Sequence, residues 1–298
     1  MNIIEEYDYH PNALARGLVT RQTKTIGLII PDISNLFFAS TSRGIEDKAN
    51  EKGYTVIFCN TDDRIENEER AFSVLNAKQV DGIICTPTTQ TKSDNIIRRC
   101  KEANIPIVIL DRVLKDEEIY TVYLDNTFGG LLATRYFLQK GHKKIGCITG
   151  PKNTHNSQAR YRGYKMALRE ANIEIDKSLV FEGDYRVDSG FDGAHRLIDA
   201  GATAIFACND MMAYGVYKAA TVQCIVIPEK IYIIGFDDIY TSEILQPSLT
   251  SIRQPAYEMG VAASDILIRL LEGEEVKERH RIFNPILISR ESAIEFTN

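Results

Sequence analysis

The chain has 298 residues, of which 44% are hydrophobic, 26% charged and 9% aromatic, with a formal net charge of −6. That length suits about two domains with sizeable cores, and the composition excludes disordered, collagenous and coiled-coil proteins. Among residues 1–25, three basic residues (Arg16, Arg21, Lys24) are cancelled by three acidic ones (Glu5, Glu6, Asp8), which argues against strong sequence-independent DNA binding by the chain as it stands.

Met1–His10 has no apolar run and does not read as a secretory signal. The longest apolar runs, such as Ile26–Ile30, fall far short of the ~18 residues that span a bilayer. A soluble, cytoplasmic protein that does not contact membranes is expected. From Lys24 onward, short β-branched runs alternate with amphipathic segments. The first runs are TIGLIIP (25–31), YTVIFCN (54–60), VDGIICT (80–86), PIVILD (106–111) and YTVYLDN (120–126). Helical patterns lie between them, marked by Ile45 and Ala49 with Gly53 as a stop, by Phe72, Leu75 and Val80, and by Ile96, Ile97 and Cys100.

The second half repeats the scheme. Strands read KKIGCITG (143–150), LVFEGDY (179–185), AIFACN (204–209) and IYIIGFDD (231–238), with helices over 128–140, 158–171, 189–200 and 211–221. Near-continuous apolar strands alternating with helices mean βαβ units and parallel sheets buried on both faces. The predicted fold is α/β, with two doubly wound parallel-sheet domains in tandem. After Asp238 the pattern loosens: a short strand in LTSIRQP (249–255), a helix over 255–271 carrying Met259, Ala262, Ile266 and Leu270 on one stripe, and a last strand over 281–294.

The strand ends carry the functional signal. Seven finish in polar residues at the carboxyl edge: Pro31-Asp32, Asn60, Thr86, Asp111-Arg112, Asp125-Asn126, Asn209-Asp210 and Phe236-Asp237. Ligands of open α/β sheets bind beyond the carboxyl ends of the strands. One such end is an ordinary turn or cap; seven from two similar halves point to a polar cleft. The six cysteines form no C-x-x-C pair, and several sit in apolar strands, so they read as free thiols in a reducing compartment. No phosphate loop, dinucleotide fingerprint, zinc helix or nucleophile elbow occurs, and Gly146, Gly150 and Lys152 only loosely echo a phosphate loop. No catalytic residue, metal or cofactor is expected.

The motifs YHPNALARGL (9–18), IGLIIPDISNLFF (26–38), VDGIIC (80–85), DNTFGGLLATRYFLQKGHKKIGCITGP (125–151), ARYRGYKMAL (159–168), AIFACNDMMAYGV (204–216), IPEKIYIIGFDDI (227–239), PSLTSIRQPAYEMG (247–260) and ISRES (288–292) occur in one order along nearly the whole chain. In that order they resemble bacterial transcription regulators of the lactose-repressor family, most of all its ribose-operon repressors. The resemblance implies a periplasmic-binding-protein-like fold of type I with a ligand cleft between two subdomains. It implies an N-terminal core subdomain over 24–125 plus roughly 253–280, and a C-terminal one over 126–252 plus roughly 281–298. Residues 1–20 would be a remnant of a DNA-binding domain and its hinge helix, with the helix-turn-helix largely missing. In that hinge, Pro11 suits a first helical position and Gly17 a last one, and the segment is too short for a stable isolated helix. Leu18 matches a minor-groove wedge, and Pro11, Asn12, Ala15 and Arg16 complete the DNA-facing set; a linker is the alternative.

The resemblance also implies the pocket: Asn35, Phe37, Phe38, Asp111, Arg112, Arg160, Tyr185, Asn209, Phe236, Asp237 and Gln254. The chemistry agrees. Aromatic rings can sandwich the C–H faces of a sugar while planar polar groups address its hydroxyls. Against this, Phe37 and Phe38 could be core anchors of a helix, Asp111–Arg112 a surface ion pair, and Asp238 a turn cap. Asp210 reads as the N-cap of the helix starting at Met211. Thr86 departs from the Asn usual in ribose binders, as do Pro31 and Asp32 from the smaller residues of periplasmic relatives. The expected function is a homodimeric regulator, not an enzyme, whose core senses a small sugar such as D-ribose and thereby controls operator DNA binding. The rivals are a catabolite-control-type regulator driven by a phosphocarrier protein, and a solute-binding protein.

Overall fold

A computed structural model describes residues 22–88, 94–113 and 118–294. The first half runs β1 (Thr25–Ile30), α1 (Leu36–Glu51), β2 (Thr55–Asn60), α2 (Ile65–Ala77), β3 (Gly82–Cys85), α3 (Asp94–Ala103), β4 (Ile107–Leu110) and β5 (Tyr120–Leu124). The second runs α4 (Asn126–Gln139), β6 (Ile145–Thr149), α5 (His155–Glu170), β7 (Val180–Glu182), α6 (Val187–Asp199), β8 (Ala204–Ala207), α7 (Asp210–Val222) and β9 (Tyr232–Asp237). The tail adds β10 (Thr250–Arg253), α8 (Ala256–Leu271), β11 (His280–Phe283) and β12 (Ile286–Ile288).

Two six-stranded sheets result, ordered β2-β1-β3-β4-β5-β11 and β7-β6-β8-β9-β10-β12. Pairing is parallel throughout except for β12, which runs antiparallel to β10. Each sheet reverses its winding about its first strand, as doubly wound sheets do. In the first sheet β1 explains why a parallel strand reads as a continuous apolar run. Ile26, Leu28 and Ile30 join one core with Ile45 of α1 and Leu267 of α8, while Ile29 joins the opposite core with Phe72 and Leu75 of α2. The second sheet buries Cys147, Ile148, Phe206 and Ile234 beneath α4–α7, with Phe137 and Tyr164 at its centre.

The strand expected over 281–294 is not one strand. His280–Phe283 lines the edge of the first sheet beside β5, and Ile286–Ile288 the edge of the second beside β10. The chain therefore crosses between halves three times: after Leu124, after Arg253, and between Phe283 and Ile286. Strands of four and three residues carry too little periodicity to show which sheet they join.

Three helix pairs meet backbone to backbone. A Cβ on Gly44 of α1 would strike the Tyr257 carbonyl of α8, and one on Gly260 the Thr41 carbonyl. Gly130 and Gly163 stand in the same reciprocal relation between α4 and α5, as do Gly190 and Gly215 between α6 and α7. No glycine-free helix could approach this closely.

Candidate functional site

The carboxyl ends of both sheets face one cavity of about 120 Å³. From the first half come Pro31 and Asp32 after β1, Asn35, Phe37 and Phe38 at the start of α1, Asp62 and Asp63 after β2, and Asp111 and Arg112 after β4. From the second come Thr154, Asn156 and Arg160 around α5, Asp184, Tyr185 and Arg186 after β7, and Asn209, Asp237 and Gln254 at the exits of β8, β9 and β10.

Local backbone geometry aims these groups. Asn35 caps α1 by accepting from the Phe37 N–H at 3.0 Å, which fixes both phenylalanines at the cleft. Their rings meet edge to face, with centroids 5.1 Å apart. Asp62, Asp63, Asp111, Tyr185 and Asp237 all have positive φ, at 52°, 55°, 66°, 69° and 110°. Such conformations cost about 1–3 kcal/mol each and cluster where function requires them. Here they turn four strand exits so that the side chains face inward.

The polar groups form two networks. Arg112 pairs with Asp63 at 2.7 Å and donates to the Pro87 carbonyl. Burial opposes its charge, but Asp63 and then Asp111 outweigh burial and raise its pKa. Arg160 donates through Nε to Asn126 Oδ1 at 2.7 Å, reaches the Cys208 carbonyl, and stands 3.7 Å from Asp237 Oδ1. Gln254 donates to that same Asp237 oxygen at 2.6 Å. Burial pushes Asp111 and Asp237 above the ordinary carboxylate range, with Arg160 pulling both back. Burial likewise raises Tyr185 to about 12.

Ten of the eleven expected pocket residues line the cavity, and Phe236 does not. Its ring is wholly buried beneath the Arg160 guanidinium, whose central carbon lies 3.7 Å from the ring centroid. Side chains alternate along a strand, so Asp237 faces the cleft only because its neighbour faces the core. Asp210 is not the cap of α7. Asn209 is, accepting from the Met212 N–H at 2.9 Å while donating to the Tyr185 carbonyl. Asp210 is buried behind it and accepts from Ser242, Ser251 and the Ile239 N–H. Asp238, expected to cap a turn, is instead held between Arg253 and Arg290. Thr86 is buried at the exit of β3 and does not reach the cavity.

Sequence reading missed Asp62, Asp63, Thr154, Asn156, Asp184 and Arg186. The two aspartates follow the same strand-exit rule as the others and were legible just past Asn60. Asn156 was hidden because α5 starts at His155, three residues earlier than its pattern suggests. The hinge residues Pro11, Asn12, Ala15, Arg16 and Leu18 lie outside the described residues. Among the described residues, no cluster of His, Cys, Asp and Glu could hold a metal, and no helix is long and apolar enough to cross a membrane.

Comparison with known proteins adds context to this geometry. Residues 23–290 match the profile of "Periplasmic binding proteins and sugar binding domain of LacI family". The ribose operon repressor of Escherichia coli (strain K12) is 36% identical over 294 residues, covering 97% of this chain and 88% of the repressor. The crystal structure of the transcription regulator CcpA of Lactococcus lactis superposes with a TM-score of 0.84 at 33% identity, over 90% of this chain and 98% of that one. A LacI family transcriptional regulator from Enterococcus faecium, solved with bound ribose, superposes with a TM-score of 0.81 at 31% identity, over 90% of this chain and 98% of that one.

Proposed function

This chain belongs to the family of periplasmic binding proteins and LacI-type sugar-binding domains, and from that premise we propose that it is a transcriptional repressor whose cleft senses D-ribose or a closely similar pentose. Its relatives are transcriptional regulators, and it is a regulator rather than an enzyme. One observation carries the choice of ligand. Asp111, Arg112, Arg160, Asn209, Asp237 and Gln254 converge on one small cavity beside Phe37, Phe38 and Tyr185. Planar polar groups around an aromatic wall suit a small ring rich in hydroxyls. The ribose-bound relative supports the same reading.

Regulation would run through the two halves of the cleft. An effector shifts the protein only by binding one arrangement of the halves better than another. That difference would pass to the hinge residues Pro11, Asn12, Ala15, Arg16 and Leu18 of a cytoplasmic homodimer and alter operator affinity.

Thermal unfolding against ribose, ribose 5-phosphate, fructose, glucose, galactose and purines tests the proposal. A ligand at 100 times its Kd stabilises the native state by about 2.7 kcal/mol, so ribose alone should raise Tm clearly. A flat panel sinks the ribose assignment and favours control by a protein partner.

A further inference from the structure

Asn156 stands in the first turn of α5, 6% exposed, and its Nδ2 donates to Asp111 Oδ2 at 2.9 Å. Asp111 follows β4 of the first sheet and Asn156 belongs to the second half, so this bond crosses the cleft. Each partner keeps one buried oxygen with no donor, Asp111 Oδ1 and Asn156 Oδ1, and Gln254 Oε1 is a third. Leaving a buried acceptor unpaired is costly, so three around one cavity call for a ligand that donates. The lining agrees: six aspartate carboxyl groups face the cavity (Asp32, Asp62, Asp63, Asp111, Asp184, Asp237), against three guanidinium groups (Arg112, Arg160, Arg186). Hydroxyls donate to such acceptors, whereas a phosphate or carboxylate only accepts and would leave them unpaired.

We infer that Asn156 is a specificity-determining residue of this cleft. With Asp111 it presents two acceptor oxygens, one from each half, to neighbouring hydroxyls of a neutral polyol. The Asn156–Asp111 bond spans the halves at the same point, so selection of the ligand and closure over it occur in one contact. This inference rests on the sugar-effector reading above.

The test is calorimetric titration of the parent, Asn156→Ala and Asn156→Asp with D-ribose and D-ribose 5-phosphate, alongside small-angle X-ray scattering of each protein without ligand. The parent should take ribose and reject the phosphate. Asn156→Ala should weaken ribose at least about tenfold while still unfolding cooperatively. Asn156→Asp sets a second carboxylate against Asp111, so its affinity should be lowest near about pH 8 and recover towards about pH 5, where one proton can be shared. An affinity of Asn156→Asp that does not change between those pH values overturns the pairing with Asp111. Ribose affinity in Asn156→Ala within about twofold of the parent (below ~0.5 kcal/mol), or equal binding of the phosphate by the parent, overturns the inference. If the parent binds no sugar at all, the ribose reading fails by itself and scattering decides. Ligand-free Asn156→Ala should be more expanded than the parent, and an unchanged radius of gyration overturns the cross-cleft role. Should Asn156→Ala fail to fold, Asn156→Ser carries the same test.

Discussion

The Arg160 guanidinium lies over the ring of Phe236, 3.7 Å from its centroid, and the ring itself never reaches the cavity. Phe236 thus acts on the ligand through Arg160, as a platform that fixes where the cation sits. Phe236→Leu should cost less than about 1.5 kcal/mol of stability because volume is largely kept, yet weaken ribose binding by releasing Arg160. Phe236→Ala should cost about 3–5 kcal/mol. Urea unfolding and calorimetric titration of both variants separate the two effects.

Arg112→Ala should abolish the ribose-induced rise in Tm while the far-ultraviolet circular dichroism stays that of the parent. The side chain serves the cavity and Asp63 rather than either hydrophobic core. Retained ribose binding in this variant would mean that the pocket is wrongly assigned.

Burial holds Asp111, Asp210 and Asp237 above the ordinary carboxylate range. Folded chains therefore keep protons that unfolded chains have lost. The stabilisation is complete below about pH 4 and disappears as the pH rises through the folded values. Stability should fall with rising pH over that window. Asp237→Asn removes one of the three groups, so it should resist urea better than the parent near neutral pH, converge with it in acid, and bind ribose poorly.

Gly130→Ala or Gly163→Ala would drive α4 and α5 apart, because the added methyl meets the Arg160 carbonyl in the first case and the Thr127 carbonyl in the second. Overpacking of this kind costs typically about 1–3 kcal/mol. Here it also displaces the helix that delivers Asn156 and Arg160. Loss of both Tm and ribose affinity is expected, whereas alanine at Gly273, which has open space around it but a φ of 76°, should lower Tm and leave affinity intact.

Native thiol titration should label Cys224 first, since it is exposed, while Cys85, Cys100, Cys147 and Cys208 react only on unfolding. Burial raises the pKa of Cys85, Cys100 and Cys147, which lowers their thiolate fraction further.

Much of this molecule was legible from the chain. The inner strands up to Asp237 announce themselves because a strand covered on both faces must be apolar throughout, and strand exits mark the cleft because ligands bind there. What escaped was decided by tertiary detail. Phe236 has the chemistry of a ligand-facing ring, but it lies on the opposite face of β9 from Asp237, which takes the cleft. Asn209 and Asp210 compete for one cap, and only the extended backbone at Asn209 (φ −159°, ψ 166°) settles it. The tail after Arg253 has strands of three or four residues whose sheets are chosen by distant partners.

That tail has a consequence for how the protein is made. β11 and β12 are the outermost strands at one edge of each sheet, and they lie within the last twenty residues described. A ribosome delivering this chain from its N-terminus completes the first sheet only when β11 has emerged and the second only when β12 has. The two lobes therefore mature close together in time. A chain stopped short of His280 would uncover β5 and β10, each a template for pairing with another nascent chain.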